Sequence, residues 1–185
     1  MMAPYLRLCA ALPALHLLLA APYCLAQRQD DQLKAAYILN IAMFTTWPAP
    51  AAPARALTVC ASPQHSLWDS LRQLDGRNVN GRTWATVDAG AGASASASAG
   101  AGAGAGAGKS CDIVVVTAAR APRSAPKEAG NALYVVDGTP SATYAGAVAL
   151  VEESQHIRFD VDTREAARVG IKFSSRLLRL ARNVI

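Results

Sequence analysis

The strongest pattern in the chain is an apolar stretch near its start, LKAAYILNIAMFTTWP at residues 33–48. Its apolar residues recur at helical spacing, with Tyr37, Ile41 and Phe44 on one face, and few polar residues interrupt them. The pattern predicts a helix that ends at Pro48 and is buried on most sides. At about 15 residues, the helix is too short to span a bilayer.

Short β-branched or alternating segments follow this stretch, and turn residues separate them. The run CDIVVV at 111–116 is typical of a strand buried on both faces. Asp75-Gly76 and Asn80-Gly81 are turn dipeptides on either side of a short extended piece at Val79. The predicted strands are 56–61, 83–87, 111–116, 132–136, 147–151 and 156–161.

Helices are predicted over 64–74 and in two places at the end of the chain. The first of these final helices is expected to be capped at Asp162 and to end at Gly170. The second begins at Ser174, and its predicted apolar stripe consists of Leu177, Leu178, Ala181 and Val184. Strands that alternate with helices and finish in an antiparallel edge predict an α/β fold. We expect a three-layer sandwich with a mixed, mostly parallel sheet flanked by helices.

Two segments stand apart from this pattern. Residues 1–26 have the features of a secretory signal peptide, with Arg7 near the start and an apolar stretch over 8–21. A retained membrane anchor is the alternative, but cleavage would leave 27–185 as a single domain. Residues 89–108 are almost entirely Gly, Ala and Ser, which bury too little apolar area to offset their ordering entropy. We therefore expect a surface loop inserted between two strands.

Charge argues against a nucleic-acid-binding role. The formal net charge is +5, and the basic residues are spread along the chain rather than massed. Spread charge is typical of solvated surfaces, and an exported protein would seldom meet nucleic acid.

Cysteine usage points to a disulfide. Cys60 and Cys111 are the cysteines that remain once the signal peptide is removed. In an oxidising compartment two cysteines suggest one disulfide, and closing a loop of about 50 residues would stabilise the fold by roughly 4 kcal/mol. The alternative is two buried, unpaired thiols. Pairing requires that the stagger of the sheet bring a cysteine late in one strand close to a cysteine at the start of another.

Catalytic chemistry finds little support in the sequence. His65 and His156 have no thiol or paired carboxylate beside them, and no G-x-S-x-G motif is present. The histidine and cysteine spacings do not fit a zinc site. Lys109-Ser110 completes the letters of a phosphate loop but leads into a strand instead of opening a helix. The sequence therefore predicts no enzyme activity, no cofactor and no metal.

Two features are candidates for binding. Arg176, Arg179 and Arg182 form a row that could meet an acidic partner, although a solvated helix face explains the same spacing. Asp137-Gly138-Thr139 lies at the end of a predicted strand, where α/β sheets often present ligand contacts, but turn chemistry is sufficient to explain it.

Five segments in this order resemble one protein family. They are LKAAYILNIAMFTTWP at 33–48, LTVCAS at 57–62, LDGRNVNGR at 74–82, CDIVVV at 111–116 and IRFDVDTREAARVGIKFSSRLLRLA at 157–181. Together they resemble the YfiR family of periplasmic proteins over nearly all of the mature chain except 89–108. The opening helix and the closing block are the most specific parts.

The resemblance implies a repressor of an inner-membrane diguanylate cyclase. Such a repressor binds the periplasmic sensor domain of the cyclase and so controls cyclic di-GMP and biofilm formation. An outer-membrane lipoprotein that sequesters the repressor, homodimerisation and sensitivity to periplasmic redox state also belong to this picture. Cys60 and Cys111 match two cysteine positions of the family, whereas the second pair that some members carry is absent here.

We therefore expect a periplasmic regulatory protein that acts by binding rather than by catalysis. One alternative is a small-ligand sensor that signals through a membrane kinase or transporter. A second alternative is an enzyme that acts on cell-wall material, which the absence of an obvious acid/base pair disfavours.

Overall fold

The computed structural model describes residues 12–48, 56–89, 111–121, 131–139 and 146–185, with side chains from residue 27 onward. The predicted cleavage after residue 26 and nearly all of the Gly/Ala/Ser segment lie outside the described side chains, so both remain predictions. Within the described residues, no helix combines the length and hydropathy needed to cross a membrane.

The described elements alternate between strands and helices, as the sequence pattern predicts. The helices are α1 (Leu12–Met43), α2 (Trp68–Arg72), α3 (Thr163–Arg168) and α4 (Ser175–Leu178), and a 3₁₀ turn spans Ala118–Arg120. The first strands are β1 (Thr45–Thr46), β2 (Leu57–Ala61), β3 (Asn78–Val79), β4 (Arg82–Asp88) and β5 (Ile113–Thr117). The remaining strands are β6 (Leu133–Asp137), β7 (Val148–Glu153), β8 (His156–Val161), β9 (Lys172–Phe173) and β10 (Asn183–Val184).

In the described part of the chain, eight strands form one sheet in the order β10-β8-β7-β6-β5-β2-β4-β3. Strands β4, β2, β5, β6 and β7 run parallel, whereas β8 is antiparallel to β7 and β3 is antiparallel to β4. This mostly parallel sheet with its helices confirms the predicted α/β fold class. The predicted antiparallel edge is confirmed, because β8 is antiparallel to β7, and β10 pairs with β8 in the same direction as β8.

Helix α1 packs on the sheet through one face. Its buried residues are Ala35, Ile38, Ile41 and Ala42. Tyr37 extends this face, and its ring centroid lies 6.1 Å from that of Phe159 on β8. Leu33 and Met43 are nevertheless 46% and 40% exposed. Leu39 and Phe44 also pack against the core and are partly buried, so the predicted burial on most sides holds for residues 34–42 apart from Asn40.

The same helix ends at Met43, earlier than the pattern predicts, because its last carbonyls find other donors. The Thr45 hydroxyl donates to the Ile41 carbonyl at 2.7 Å, and Asn80 Nδ2 donates to the Met43 carbonyl at 3.1 Å. Asn80 and Gly81 have positive φ angles of 53° and 84°, as the two-residue turns of type I′ require. The predicted Asn-Gly turn thus joins β3 to β4 and also holds the end of α1.

Helix α2 is shorter than the predicted helix over 64–74. The residues before it form turns, in which the His65 amide donates to the Ser62 carbonyl at 2.9 Å and the Trp68 amide donates to the His65 carbonyl at 3.0 Å. These bonds span three residues and so replace the first turn of an α-helix.

Asp112 connects several strands at the amino end of β5. The residue is 6% exposed, and its Oδ2 accepts hydrogen bonds from the Thr58 amide at 2.8 Å and from Arg82 Nη2 at 2.5 Å. Its amide donates to the Thr58 carbonyl at 2.8 Å. Its carbonyl accepts from the Leu133 amide at 2.8 Å and from Trp47 Nε1 at 3.3 Å. One residue thus joins β2, β4, β6 and the segment that follows α1.

Cys60 and Cys111 form a disulfide in the structure, with 5.8 Å between their Cα atoms. The register of the sheet places Cys60 opposite Val114, three positions further along than Cys111. The chain bends at Asp112 before β5 begins, and this bend returns Cys111 to the side of Cys60.

Replacement of Asp112 tests its importance for the sheet. We expect Asp112→Asn to lower the free energy of unfolding by about 3 kcal/mol, because it removes the buried charge that Arg82 Nη2 contacts. Urea unfolding measures this change. The control is Glu165→Gln, which breaks the exposed ion pair with Arg168 and should cost less than about 1 kcal/mol. Equal losses in the two variants would contradict the special role of Asp112.

Removal of the disulfide should also destabilise the fold. We expect Cys60→Ala/Cys111→Ala to lower the free energy of unfolding by about 4 kcal/mol. The two cysteines are 51 residues apart in sequence, and without the bond the unfolded chain regains the conformational entropy that this closed loop removes. Urea unfolding of the wild-type chain after reduction should give the same value as the double variant. An unchanged midpoint after reduction would show that the bond does not stabilise the fold.

Candidate partner-binding surface

The opening and closing segments of the described chain meet in space. Strand β1 pairs with β9, so that Thr45 faces Phe173 and Thr46 faces Lys172. The Ser174 amide continues this pairing and donates to the carbonyl of the residue before β1 at 2.9 Å. The two segments that carry the resemblance most specifically are therefore paired with each other in the fold.

Helix α3 is capped as the sequence predicts. Asp162 Oδ1 accepts hydrogen bonds from the amides of Arg164 and Glu165 at 2.9 and 3.1 Å. Gly170 follows the helix with a φ of +74°, and a Cβ atom built there would lie 2.9 Å from Pro48 Cγ. Both the conformation and the space require glycine, because the end of α3 packs against the segment that follows α1.

The predicted final helix is largely wrong. Ser174 does cap a helix, since its hydroxyl accepts from the Leu177 amide at 3.2 Å, but α4 ends at Leu178. Beyond it the backbone pairs with β8, and the amide of Ile185 donates to the Val161 carbonyl at 2.9 Å. Edge pairing with β8 therefore takes precedence over the helical spacing of the apolar residues.

Because α4 ends at Leu178, the three arginines of the predicted row do not lie on one helix. Arg182 lies beside β8, where Nε and Nη2 donate to the two carboxylate oxygens of Asp160 at 2.9 and 2.6 Å. A longer contact of 3.4 Å joins Arg182 to Glu153. The hydrogen bond from Arg182 lowers the pKa of Asp160, and the same bond raises the pKa of Arg182. Arg182 thus holds β10 to the sheet from within the chain.

Arg176 and Arg179 differ from Arg182. Both side chains are exposed on and just after α4. Among the residues that the structure describes, neither arginine has an ion-pair partner. These two guanidinium groups are available to a partner, and their role in binding remains a prediction.

Exposed apolar side chains follow these arginines along the chain. Leu180 is 67% exposed, Val184 is 50% exposed and Ile185 is 54% exposed. Sequence reasoning missed them, because the assumed helix placed Val184 in a buried stripe. The adjacent β-branched pair Val184-Ile185 is a signal for a strand that could have indicated the edge. We define the C-terminal surface as Arg176, Arg179, Leu180, Val184 and Ile185.

The other predicted candidates lie elsewhere. His156 is exposed, with Nδ1 2.7 Å from the Ser154 carbonyl, whereas His65 is buried. Asp137 forms an ion pair with Lys34, whose Nζ lies 2.9 Å from Asp137 Oδ1. Across the described ranges, no group of three or more His, Cys, Asp or Glu side chains is arranged to hold a metal ion.

Comparison with known proteins identifies the family. A search of curated proteins finds no match. The sequence profile described as YfiR/HmsC-like matches residues 31–182, which is most of the chain and includes both the α1 segment and the closing block. The resemblance is confirmed, and the chain belongs to the YfiR/HmsC-like family.

Proposed function

We propose that this chain is a periplasmic regulatory protein that represses an inner-membrane diguanylate cyclase. The family match over residues 31–182 carries the proposal. The Cys60–Cys111 disulfide supports it, since such bonds persist in oxidising compartments such as the periplasm. The repressor binds the periplasmic sensor domain of the cyclase and thereby controls cyclic di-GMP and biofilm formation.

The C-terminal surface is the contact site in this proposal. Its three exposed apolar side chains, Leu180, Val184 and Ile185, offer area that binding would remove from water. Arg176 and Arg179 precede these residues in the chain and are exposed, and arginine is enriched in protein interfaces. A partner that fits has an apolar centre and an acidic rim, because the positive charge would attract it and orient it.

Strand β10 adds a backbone component to this site. It lies at one end of the eight-stranded sheet, and an edge strand presents backbone groups that another chain can pair with. The expected homodimer stays a prediction.

Regulation in this proposal requires no chemical step. Occupancy of the sensor domain holds the cyclase in its inactive state, because the repressor binds that state more tightly. An outer-membrane lipoprotein that binds the repressor would lower its free concentration and so release the cyclase. No cofactor is required.

Deletion of the gene tests the proposal in the host. We expect cyclic di-GMP and biofilm mass to rise in the deletion strain and to return to normal when the gene is restored. Affinity capture from envelope extract, with the exported chain as bait, should recover a membrane diguanylate cyclase. An unchanged cyclic di-GMP level would contradict the proposal. A small metabolite that raises the melting temperature, without capture of a cyclase, would instead favour a ligand sensor.

Two variants of the C-terminal surface test the contact site. Arg179→Glu and Leu180→Asp should each weaken binding to the captured partner by about tenfold or more, which corresponds to about 1.4 kcal/mol. Surface plasmon resonance with the purified sensor domain measures the affinity.

The matched control is Arg77→Glu, which makes the same charge change at an exposed position before β3, on the opposite edge of the sheet. It should bind like the wild type, and all three variants should keep the wild-type melting temperature within a few degrees. Equal losses for Arg77→Glu and Arg179→Glu would mean that net charge alone affects binding. Normal binding by Leu180→Asp would place the contact elsewhere.

A further inference from the structure

Three elements of the chain converge near the carboxyl ends of the parallel strands. Strand β2 lies between β4 and β5 in the sheet. After β2 the chain forms β4 on one side of it and then crosses over to form β5 on the other side. The loop after β2 carries His65, and the end of β6 carries Asp137. Helix α1 contributes Lys34, whose ammonium lies 2.9 Å from Asp137 Oδ1.

The Lys34–Asp137 ion pair is partly removed from water. The two side chains are 18% and 10% exposed. Residues 27–33 of α1 are mostly exposed, whereas Ala35 and Ile38 after Lys34 are buried in the core. This pair therefore marks the point at which α1 docks on the sheet.

His65 is held in one protonation state by its hydrogen bond. The side chain is only 8% exposed, and its Nδ1 accepts a hydrogen bond from the Leu67 amide at 3.2 Å. A ring nitrogen that accepts carries no proton, so the imidazole is neutral with its proton on Nε2. Nε2 is buried and lacks a well-formed hydrogen bond within the described residues.

Protonation of His65 would disturb the entry to α2. Both ring nitrogens of an imidazolium are donors, so the Leu67 amide would lose its acceptor and face another N–H group. Leu67 and Leu71 are fully buried, so a shift of this turn would be transmitted to the core beneath α2. The added charge would also be buried, because the side chain is only 8% exposed.

The charged groups around His65 act in opposite directions. Burial is the largest influence and lowers the pKa of His65. Asp137 raises it, Lys34 lowers it, Asp31 raises it and the Val116 backbone raises it least. The net pKa lies below the ordinary value of 6.5.

We propose that His65 is an acid-sensitive latch that holds the entry to α2, through its buried ring and its hydrogen bond from the Leu67 amide. Protonation of His65 breaks its bond to the Leu67 amide and loosens the latch. The latch is independent of the partner proposed above, since it rests on groups that do not belong to the C-terminal surface.

The direction of the pH effect follows from the position of the pKa. As the pH falls below 6.5, the unfolded chain binds a proton at His65 before the folded chain does. Stability from the neutral imidazole is therefore complete above pH 6.5 and is lost progressively down to the lower folded pKa. Each unit between the two pKa values changes the folding equilibrium by up to tenfold.

Unfolding of two histidine variants tests the latch. His65→Asn keeps a side-chain oxygen that can accept from the Leu67 amide but cannot titrate. Urea unfolding at pH 7.5 and pH 5.0 should show that the wild-type chain loses stability on acidification and that His65→Asn loses at least threefold less in the folding equilibrium. His156→Asn, at the exposed histidine, should lose as much as the wild type.

Hydrogen exchange separates a latch from a general loss of stability. After correction for the intrinsic exchange rate, the Leu71 and Gln73 amides, which donate to the Leu67 and Asp69 carbonyls, should lose protection at pH 5.0 before the amides of β6 do. The same amides should stay protected in His65→Asn. Simultaneous loss in α2 and β6, or identical loss in the wild type and His65→Asn, would overturn the proposal.

An NMR titration of the wild-type chain keeps the proposal testable if His65→Asn does not fold. The His65 ring signals, distinguished from those of His156 with the His156→Asn variant, should titrate below 6.5. A His65 titration at or above 6.5 would overturn the proposal.

Discussion

A buried carboxylate at Asp112 is the interaction on which the sheet depends most. A charge removed from water must be met by donors, and the donors here come from β2 and from Arg82 on β4. The backbone of Asp112 adds bonds to β2, β6 and the indole of Trp47. Strands distant in sequence are thus registered against one another by one side chain.

A second constraint joins the two ends of the described chain. Gly170 must lack a side chain because Pro48 occupies the space, and β1 pairs with β9 beside this contact. The segments 33–48 and 157–174 are therefore held together by a close packing contact and by strand pairing. The residues after α4 are held by the pairing of β10 with β8 and by the bonds from Arg182 and Asn183 to Asp160, which leave the side chains of Leu180, Val184 and Ile185 exposed. Exposed apolar side chains that no packing requirement explains are good candidates for contact with another molecule.

The sequence predicted the strands and the caps of α3 because these depend on local patterns and turn residues. Asn80-Gly81 and Asp162 act within a few residues of their own positions, so their roles can be read from the chain. The end of the chain was predicted wrongly, because pairing with β8 competes with helical spacing and depends on residues far away in sequence. Burial of His65 and its proximity to Lys34 and Asp137 were likewise not predictable, since three separate elements bring them together.

The covalent link between Cys60 and Cys111 has a consequence for the low-complexity segment at 89–108. That segment lies inside the ring that the disulfide closes. A protease that cuts one peptide bond anywhere within the ring leaves both fragments attached through sulfur. The strands on either side of the cut then remain at high effective concentration and can stay paired. A chain in a protease-containing compartment can therefore carry such an insertion without the risk of separation into two pieces.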